Sequence, residues 1–512
     1  MLTLCLLAAV MVGCSQSFSG VTEYQGEVSS NGGFVVQKGE YVYLINGIED
    51  HTADNTFGSV QKGAIVRAKL ADVKNFGAET KTELVIPKLI YTDYSDANAG
   101  FYIFGNNVYY PTPSADKNKL GEVQYDTLQF CKTSLDGKKT SLIAEFSSLS
   151  TPYRMVEKDG KVYLTVYTEV TTDDGTTANK LVTYSEDGKK VFESDAVGSY
   201  IFSTDASARY AFYEKKAYNE AREEEESFSE VYRYDLTGAG QTLAFSGAGK
   251  YSAQTGIGTQ GVTFAFLKLT ATQLYMSETY VDTSVSSITR YYGIELANLT
   301  AKAEDNYAGL TLLSNGLNAD KIFTANAVYY DFDKILYNDA SYGIVRYDYN
   351  KMNDKTFGLE TLVYDEDLVT YTYAYDDGEY MYYFGRNFYY RVSIADVLTG
   401  NATVQQLTYT PTSAHTEFYI PEIIDGVIFA ANTYDPMYSY VCAYDIDKIA
   451  SITATDDMTR EEAVDKFVAD FAEATRAAVL NRLTYRVALV TAADADRVTN
   501  YLNSNYPEDS AS

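Results

Sequence analysis

Histidines are the first residues to consider for chemistry, because imidazole both binds metals and acts as a general base. The chain of 512 residues contains two of them, His51 and His415. Two histidines do not complete a site with three imidazole ligands, and a Ser/His/Asp triad would depend on one lone imidazole. We interpret both as loop residues, so the sequence predicts no catalytic histidine.

Carboxylates are numerous, with 70 Asp and Glu residues. A pair of them is what glycoside hydrolysis needs, and acidic loops also suit calcium. Spacing alone does not select a pair among so many, and clusters such as Asp173-Asp174-Gly175 and Asp365-Glu366-Asp367 are typical of turns. The sequence contains no EF-hand loop, phosphate-binding loop or dinucleotide fingerprint. It therefore predicts no metal and no cofactor, and leaves a carbohydrate-active enzyme with paired carboxylates as an alternative.

The chemistry that the sequence indicates most directly is lipidation of Cys14. Residues 1–13 are almost wholly apolar and uncharged, and Met11-Val12-Gly13 precedes the cysteine. This resembles the lipobox of bacterial lipoproteins, which implies removal of the signal peptide and diacylation of the cysteine. The basic residues that usually open such a signal are missing, and a secretory signal with an unrelated cysteine is the alternative. The apolar run is shorter than the ~20 residues that span a bilayer.

The lipobox implies a location at the extracytoplasmic face of the cell membrane, held by a lipid anchor. Residues 14–30 are then expected to form a tether between the anchor and the body. Two further cysteines, Cys131 and Cys442, lie in the body. They fit either one disulfide or two buried thiols, and we favour the thiols.

Composition favours a large soluble β-protein. Hydrophobic residues make up 46% of the chain, which is enough for a substantial core. The net charge of −29 repels phosphate backbones, so we expect no nucleic-acid partner. The 49 tyrosines and 24 phenylalanines favour strands, because aromatic side chains fit a pleated, half-buried surface.

A Tyr-rich unit recurs along the chain and predicts its architecture. The stretch Lys38-Gly39-Glu40-Tyr41-Val42-Tyr43 and the stretch Asp377-Gly378-Glu379-Tyr380-Met381-Tyr382 are near twins, and each precedes a second strand. The first part of the unit recurs eight times, at 39–43, 107–110, 160–164, 208–212, 273–276, 326–330, 378–383 and 426–429. The second part interleaves with it, at 66–70, 128–135, 181–185, 231–236, 290–296, 344–349, 389–394 and 441–446.

This spacing predicts an all-β fold, a β-propeller of eight blades of roughly fifty to seventy residues each. Seven blades are the runner-up, and two unrelated β-sandwiches are the alternative architecture. The dipeptides Asp136-Gly137 and Asp187-Gly188 lie between alternating strands and predict hairpins. The propeller is expected to occupy residues 31–455, after a signal peptide at 1–13 and a tether at 14–30.

Two segments break the repeat. The stretch from Ala217 to Glu230 contains Glu223-Glu224-Glu225-Glu226 and predicts an acidic, helix-favouring insertion at a hairpin tip. Residues 456–512 predict a small α+β tail, since Thr459-Arg460-Glu461-Glu462 is a capping box ahead of apolar residues at helical spacing. One apolar face per helix requires a partner surface, so we expect this tail to pack on the propeller.

The Lys-Gly-Glu-Tyr-Val-Tyr opening at Lys38 and the Val-Arg-Ala-Lys-Leu stretch at Val66 resemble the first blade of propeller-type surface lipoproteins of Gram-positive bacteria. The resemblance covers residues 30–455 and implies fold and location, without catalytic residues. We therefore expect a membrane-anchored, non-catalytic propeller that binds a protein or a cell-envelope glycan at one face. A carbohydrate-active propeller enzyme and a transporter's solute-binding lipoprotein remain the alternatives.

Overall fold

The structure is a computed structural model, and it describes residues 20–45, 64–74, 83–88, 90, 100–114, 127–172, 175–203, 205, 207–219, 226–248, 262–281, 287–314, 327–330, 334–339, 343–347, 360–363, 372–376, 379–385, 388–399, 401, 404–407, 422–431 and 441–445. Within these residues the chain forms 31 strands in eight antiparallel sheets, with few helices. The predicted all-β class is confirmed.

Each sheet is a simple meander, in which every strand pairs with the next strand along the chain. Seven sheets have four strands, and three strands are described in the eighth. The strands of the first four sheets are β1 Val35–Lys38, β2 Tyr41–Ile45, β3 Ile65–Lys69, β4 Glu83–Ile86, β5 Tyr102–Phe104, β6 Asn107–Pro113, β7 Leu128–Ser134, β8 Thr140–Phe146, β9 Tyr153–Lys158, β10 Lys161–Thr171, β11 Thr177–Ser185, β12 Lys190–Glu193, β13 Ser199–Ile201, β14 Tyr210–Asn219, β15 Glu226–Asp235 and β16 Gly240–Ser246.

The remaining four sheets continue in the same order along the chain. Their strands are β17 Thr263–Leu269, β18 Gln273–Val281, β19 Ser287–Glu295, β20 Thr311–Ser314, β21 Ala327–Tyr330, β22 Lys334–Asp339, β23 Gly343–Tyr347, β24 Glu360–Val363, β25 Thr372–Asp376, β26 Tyr380–Gly385, β27 Phe388–Ser393, β28 Gln405–Gln406, β29 Glu422–Ile424, β30 Val427–Ala431 and β31 Val441–Asp445. The helices are α1 Leu70–Lys74, α2 Ala303–Asn306 and α3 Ile394–Thr399, with 3-10 turns at Leu296–Asn298 and Tyr307–Gly309.

The core lies between the faces of successive sheets. One hydrophobic cluster joins the second and third sheets, a second joins the third and fourth, and a third joins the fourth and fifth. A further cluster contains buried residues of the first, second, seventh and eighth sheets together. Because both faces of a sheet are covered, central strands such as β6 are buried almost continuously instead of alternating.

Tyrosine dominates this core because its ring fills the space between sheets while its hydroxyl bonds to the neighbouring sheet. The Tyr234 hydroxyl of the fourth sheet lies 2.8 Å from the Thr183 hydroxyl of the third. The Tyr307 hydroxyl donates to the Ser246 carbonyl at 2.6 Å. Among the described residues, the hydroxyl of Thr112 is the buried side-chain polar atom without a hydrogen-bond partner.

The repeat predicted from the sequence corresponds to the second and third strands of the sheets. The sixth sheet is the exception, since the stretch at 326–330 forms its first strand, β21, and β22 takes the second place. The predicted Asp-Gly hairpins are present between β7 and β8 and between β11 and β12. In the first six sheets the third-to-fourth pairing contains a register shift, which adds local twist.

The predicted helix-favouring insertion at 217–230 is wrong where the structure describes it. Strands β14 and β15 pair out to Asn219 and Glu226, so the hairpin is lengthened and not replaced. The two strands form ten cross-strand pairs, which include Glu226, and the glutamates at 223–225 lie outside the described residues. The predicted signal peptide at 1–13 and the predicted tail at 456–512 lie outside the described residues.

Two further expectations concern cysteine and the tether. Cys131 is a free thiol, buried between the sheets, so the disulfide alternative is not formed, and burial raises the pKa of this thiol. Cys442 lies in β31. Residues 20–30 of the predicted tether lie against the first two sheets, where Val21 is 4% exposed and donates its N–H to the Leu135 carbonyl at 2.9 Å.

Candidate binding site

A cavity of about 880 Å³ opens at one edge of the first four sheets. It is lined by the first-to-second turns of the second and third sheets, by residues 205–209 ahead of β14, and by the segment ahead of β1. In a meander the first-to-second and third-to-fourth turns lie at the same ends of the strands. We call this end of the sheets the near edge. The second-to-third turns lie at the opposite one, the far edge.

The turns around the cavity are tight because their residues accept left-handed backbone. Asp159 and Gly160 have φ values of 53° and 73°, as a two-residue hairpin turn of type I′ requires. Asp425 and Gly426 repeat this conformation in the eighth sheet, at 49° and 74°. The short turn places Glu157 and Lys158, at the end of β9, on the wall of the cavity.

One wall is formed by residues 20–33, which we call the N-terminal strap. The strap runs along the outer side of β1, where Val28 pairs with Lys38 and the Gly39 N–H donates to the Glu27 carbonyl at 2.9 Å. The two chains approach closely, since a Cβ on Gly26 would lie 2.5 Å from the Gly39 Cα. The strap therefore covers the hydrogen-bonding side of β1 that faces away from β2.

The strap is also tied to the second sheet through Asn31. The Asn31 Oδ1 accepts from the Ile103 N–H at 2.7 Å, and its Nδ2 donates to the Ile103 carbonyl at 3.0 Å. The Gly32 N–H donates to the Phe101 carbonyl at 3.0 Å. An amide side chain here replaces a strand partner and joins both sheets at the cavity.

Lys38 is the buried cation of the cavity. Its side chain lines the cavity, the residue is 5% exposed, and its Nζ donates to the Gly26 carbonyl at 2.7 Å. Burial lowers the pKa of this ammonium. Among the residues that the structure describes, no carboxylate lies within ion-pair distance of Nζ. A buried ammonium without a counter-ion is costly, so it is a natural place for an anionic ligand group.

Arg209 also lines the cavity, and its guanidinium forms an ion pair with Asp235. Its Nη2 and Nε lie 2.7 Å and 3.1 Å from Oδ2 of Asp235. The other oxygen of Asp235 accepts from the Thr237 N–H and hydroxyl at 2.9 Å and 2.7 Å. Burial alone would raise the pKa of Asp235, but these bonds outweigh it and hold the pKa below its usual value. This ion pair joins the residue ahead of β14 to the end of β15 at the cavity wall.

Three carboxylates also line the cavity. Asp205 accepts from the Ser207 N–H at 2.8 Å and from its hydroxyl at 2.7 Å, which forms a local turn. The exposed side chains of Glu27 and Glu157 form no hydrogen bond or ion pair with the part of the chain that the structure describes. Both are available to hydroxyl groups of a ligand.

Phe104 supplies the aromatic surface of the cavity. Its ring lies 5.8 Å from the Tyr102 ring and 5.6 Å from the Tyr109 ring, which hold it in place. A fixed ring beside uncommitted carboxylates and a buried ammonium suits a polar ligand that has an apolar face and an acid group. Sugars with a carboxylate have both.

The residues singled out from the sequence do not build this cavity. Cys14, His51, His415, Asp173-Asp174 and 365–367 lie outside the described residues. Next to Asp173-Asp174, the Gly175 N–H donates to the Thr172 carbonyl at 2.9 Å, as expected for a turn. Across the described ranges, no three His, Cys, Asp or Glu side chains group as metal ligands, and no helix is long and apolar enough to cross a bilayer.

Sequence reasoning missed Lys38 and the strap as site residues. Lys38 was read as the opening of the repeat, and the strap as part of a tether. A signal was present, because Lys38 ends a strand of otherwise uncharged residues directly before a glycine turn. At such a place the apolar stem of a lysine can be buried while its ammonium reaches polar groups. The strap has no comparable signal, since its pairing with β1 is one isolated bridge and other bonds join it to the distant residues Phe101, Ile103 and Leu135.

Comparisons with known proteins identify no family. No family model matches the chain, and no curated protein matches it. Among solved structures, Kuenenia stuttgartiensis hydrazine synthase is similar over 64% of this chain and 45% of that chain, with 10% identity and a TM-score of 0.25. Kluyveromyces lactis Hsv2p is similar over 75% of this chain and 98% of that chain, with 8% identity and a TM-score of 0.30. This chain thus spans less than half the length of the first, and neither similarity bears on function.

Proposed function

We propose that this protein is a membrane-anchored, extracytoplasmic binding protein that holds an acidic cell-envelope glycan in the near-edge cavity. Its body is a closed β-propeller of eight blades, and its anchor is a lipid on Cys14. The observation that carries the binding function is Lys38, a buried lysine on the wall of a polar cavity, whose Nζ has no carboxylate partner among the described residues. The cavity binds, and the protein does no chemistry on the ligand.

Ring closure is supported by where the helices lie. Helix α2 of the fifth sheet contacts β16, the last strand of the fourth sheet, and helix α3 of the seventh sheet contacts β24, the last strand of the sixth. Helix α1 of the first sheet contacts β31 of the eighth. The first two contacts join a helix to the fourth strand of the preceding sheet, and the third joins α1 to β31, the third strand of the eighth sheet. The cluster shared by the first and eighth sheets also supports closure.

The glycan is supported by the chemistry of the wall. Lys38 and Lys158 attract a carboxylate, Glu27 and Glu157 accept from hydroxyls, and Phe104 packs against the apolar face of a sugar ring. The overall charge of −29 repels an acidic polymer at long range, but salt screens this beyond about 8 Å at physiological ionic strength. Contact inside the cavity then decides affinity.

The binding proposal is tested with the full chain carrying Cys14→Ser, which keeps it soluble. Its affinity for a uronic-acid polysaccharide and for a neutral glucan is measured by calorimetry. Lys38→Met should weaken binding of the acidic polymer by about tenfold or more, because a hydrogen bond to a charged group contributes about 1.5–3 kcal/mol. The matched control is Lys161→Met, an exposed lysine on β10. Equal loss in both variants, or equal affinity for the neutral glucan, would overturn the proposal.

Lipidation is tested by metabolic labelling with a palmitate analogue and by cell fractionation. Cys14→Ser should abolish labelling and release the protein from membranes. Cys5→Ser is the matched control, since it removes the other cysteine of the N-terminal segment and should change neither result. Membrane retention of Cys14→Ser would refute the anchor.

A second candidate is a glycan hydrolase, which the presence of Glu27, Glu157 and Asp205 around one cavity favours. It predicts that the acidic polysaccharide is shortened on incubation with the protein. Loss of that cleavage in Glu157→Gln, with binding retained, would assign catalysis to this site.

A further inference from the structure

The N-terminal strap connects the proposed anchor to the cavity. The first described residue, Gly20, packs on the third-to-fourth turn of the second sheet, where a Cβ on Gly20 would lie 2.3 Å from the Asp136 carbonyl carbon. Val21 then donates to the Leu135 carbonyl at 2.9 Å. From there the strap leads to the cavity wall at Gly26. The chain therefore joins the body at the near edge.

The length of chain between Cys14 and Gly20 is short compared with the height of the third sheet, which packs against the sheet that Gly20 contacts. Six residue steps span at most about 22 Å when fully extended. Strand β10 runs from Lys161 at the near edge to Thr171 at the far edge, and its 11 residues span about 33 Å. If the far edge faced the membrane, the third sheet would hold the near edge about 33 Å from the bilayer. With Cys14 at the bilayer surface, Gly20 reaches at most about 22 Å, so it could not lie at the near edge in that orientation.

We infer that the near edge and its cavity face the membrane, with Gly20 within about 22 Å of the bilayer surface, and that the far edge faces outward. This inference rests on the proposed lipid anchor at Cys14. It narrows the ligand to the membrane-proximal part of an envelope glycan, because the body itself separates the cavity from the distal part. A cavity at the far edge would instead be open to the distal part of the glycan.

The test uses the lipidated full chain in vesicles of phosphatidylcholine and phosphatidylglycerol with acceptor-labelled headgroups. A donor fluorophore is attached through a noncanonical residue at Lys161 or, separately, at Thr171; both positions are exposed ends of one strand. Energy transfer should place Lys161 closer to the acceptor plane than Thr171, by up to about 33 Å. Equal distances, or Thr171 closer, would overturn the inference.

Two controls separate the outcomes. A chain that fails to bind vesicles refutes the anchor, and the inference with it, whereas a bound chain with equal distances refutes only the orientation. Insertion of about twenty Gly and Ser residues between Ser15 and Gly20 should reduce the difference, because a linker of that length has a root-mean-square span of about 25 Å and an extended reach beyond the height of the body. A difference that survives the insertion would show that the tether does not set the orientation.

Discussion

A guanidinium lies over a tyrosine ring at the same position of two distant sheets. Arg67 of β3 lies 4.0 Å from the Tyr41 ring centroid, and Arg391 of β27 lies 3.9 Å from the Tyr380 ring centroid. In both sheets the residue after the third strand donates its N–H to the residue before the tyrosine, Leu70 to Glu40 and Ile394 to Glu379, each at 2.9 Å. The twin sequences thus encode one local geometry.

Removing Arg391 should destabilise the seventh sheet. Arg391→Met loses the contact with Tyr380 and the bond from Nε to Gln405 Oε1 at 2.9 Å. We expect a loss of about 1–2 kcal/mol in the free energy of unfolding, measured by urea denaturation. Lys69→Met is the control, because that half-exposed ammonium lies 5.7 Å from the Tyr41 ring, and it should cost under about 0.5 kcal/mol. Equal costs would contradict the role of the stacked guanidinium.

Asp136 makes stability depend on acid pH. The Ser134 hydroxyl donates to its Oδ1 at 2.6 Å and the Lys138 N–H at 3.1 Å, and these bonds lower the pKa of the carboxyl to about 2. Because the folded-state pKa is below the unfolded value, this contribution is complete above about pH 4 and lost as the pH falls through about 2. Asp136→Asn should make the fall in melting temperature between pH 4 and pH 2 smaller than in the parent protein. An unchanged slope would contradict the assignment.

The position of Lys38 shows why the site was hard to predict at the residue scale. Its residue type and its place before Gly39 are visible in the sequence, but neither the strap that lies against it nor the turns of three other sheets that complete the cavity can be read there. A sequence pattern reports which residues share a strand. It does not report which turns of different sheets meet.

At the scale of elements, the strap is held to the second sheet by backbone bonds at Val21, Gly32 and Gly33 and by the side chain of Asn31. Asn31→Ala removes two bonds to the Ile103 backbone, which should cost about 1–3 kcal/mol in the free energy of unfolding. Asn106→Ala is the control, since Asn106 is exposed in the adjacent turn. Urea denaturation measures both variants. A negligible loss for Asn31→Ala would mean that the backbone bonds of the strap suffice.

The strands that the sequence predicted are the two central ones of each sheet. They are buried on both sides and rich in Tyr and Val, which makes them periodic and recognisable. The outer strands were missed because they are short, as in β12 or β28, and because register shifts disturb their alternation. In the sixth sheet Ala327–Tyr330 has the composition of a second strand but forms the first, since Lys334–Asp339 follows it closely enough to take the second place.

At the scale of the whole molecule, the central claim is that the eight sheets close into a ring. The repeat predicted consecutive sheets, and their cores lie between neighbours as expected. Closure depends on a contact between the two ends of the repeat, and no local pattern encodes it. The placement of α1 against β31 supports it, as does the cluster shared by the first and eighth sheets.

Distances between equivalent positions test closure most directly. Glu40, Thr272 and Glu379 are exposed, and each accepts the N–H that follows the third strand in the first, fifth and seventh sheets. Spin labels attached through noncanonical residues at pairs of these sites can be measured by pulsed electron resonance. In a ring of eight, the first-to-seventh distance should be about 0.7 of the first-to-fifth distance, because the seventh sheet is two places away and the fifth is opposite. A first-to-seventh distance that exceeds the first-to-fifth distance would mean an open array and would contradict the account.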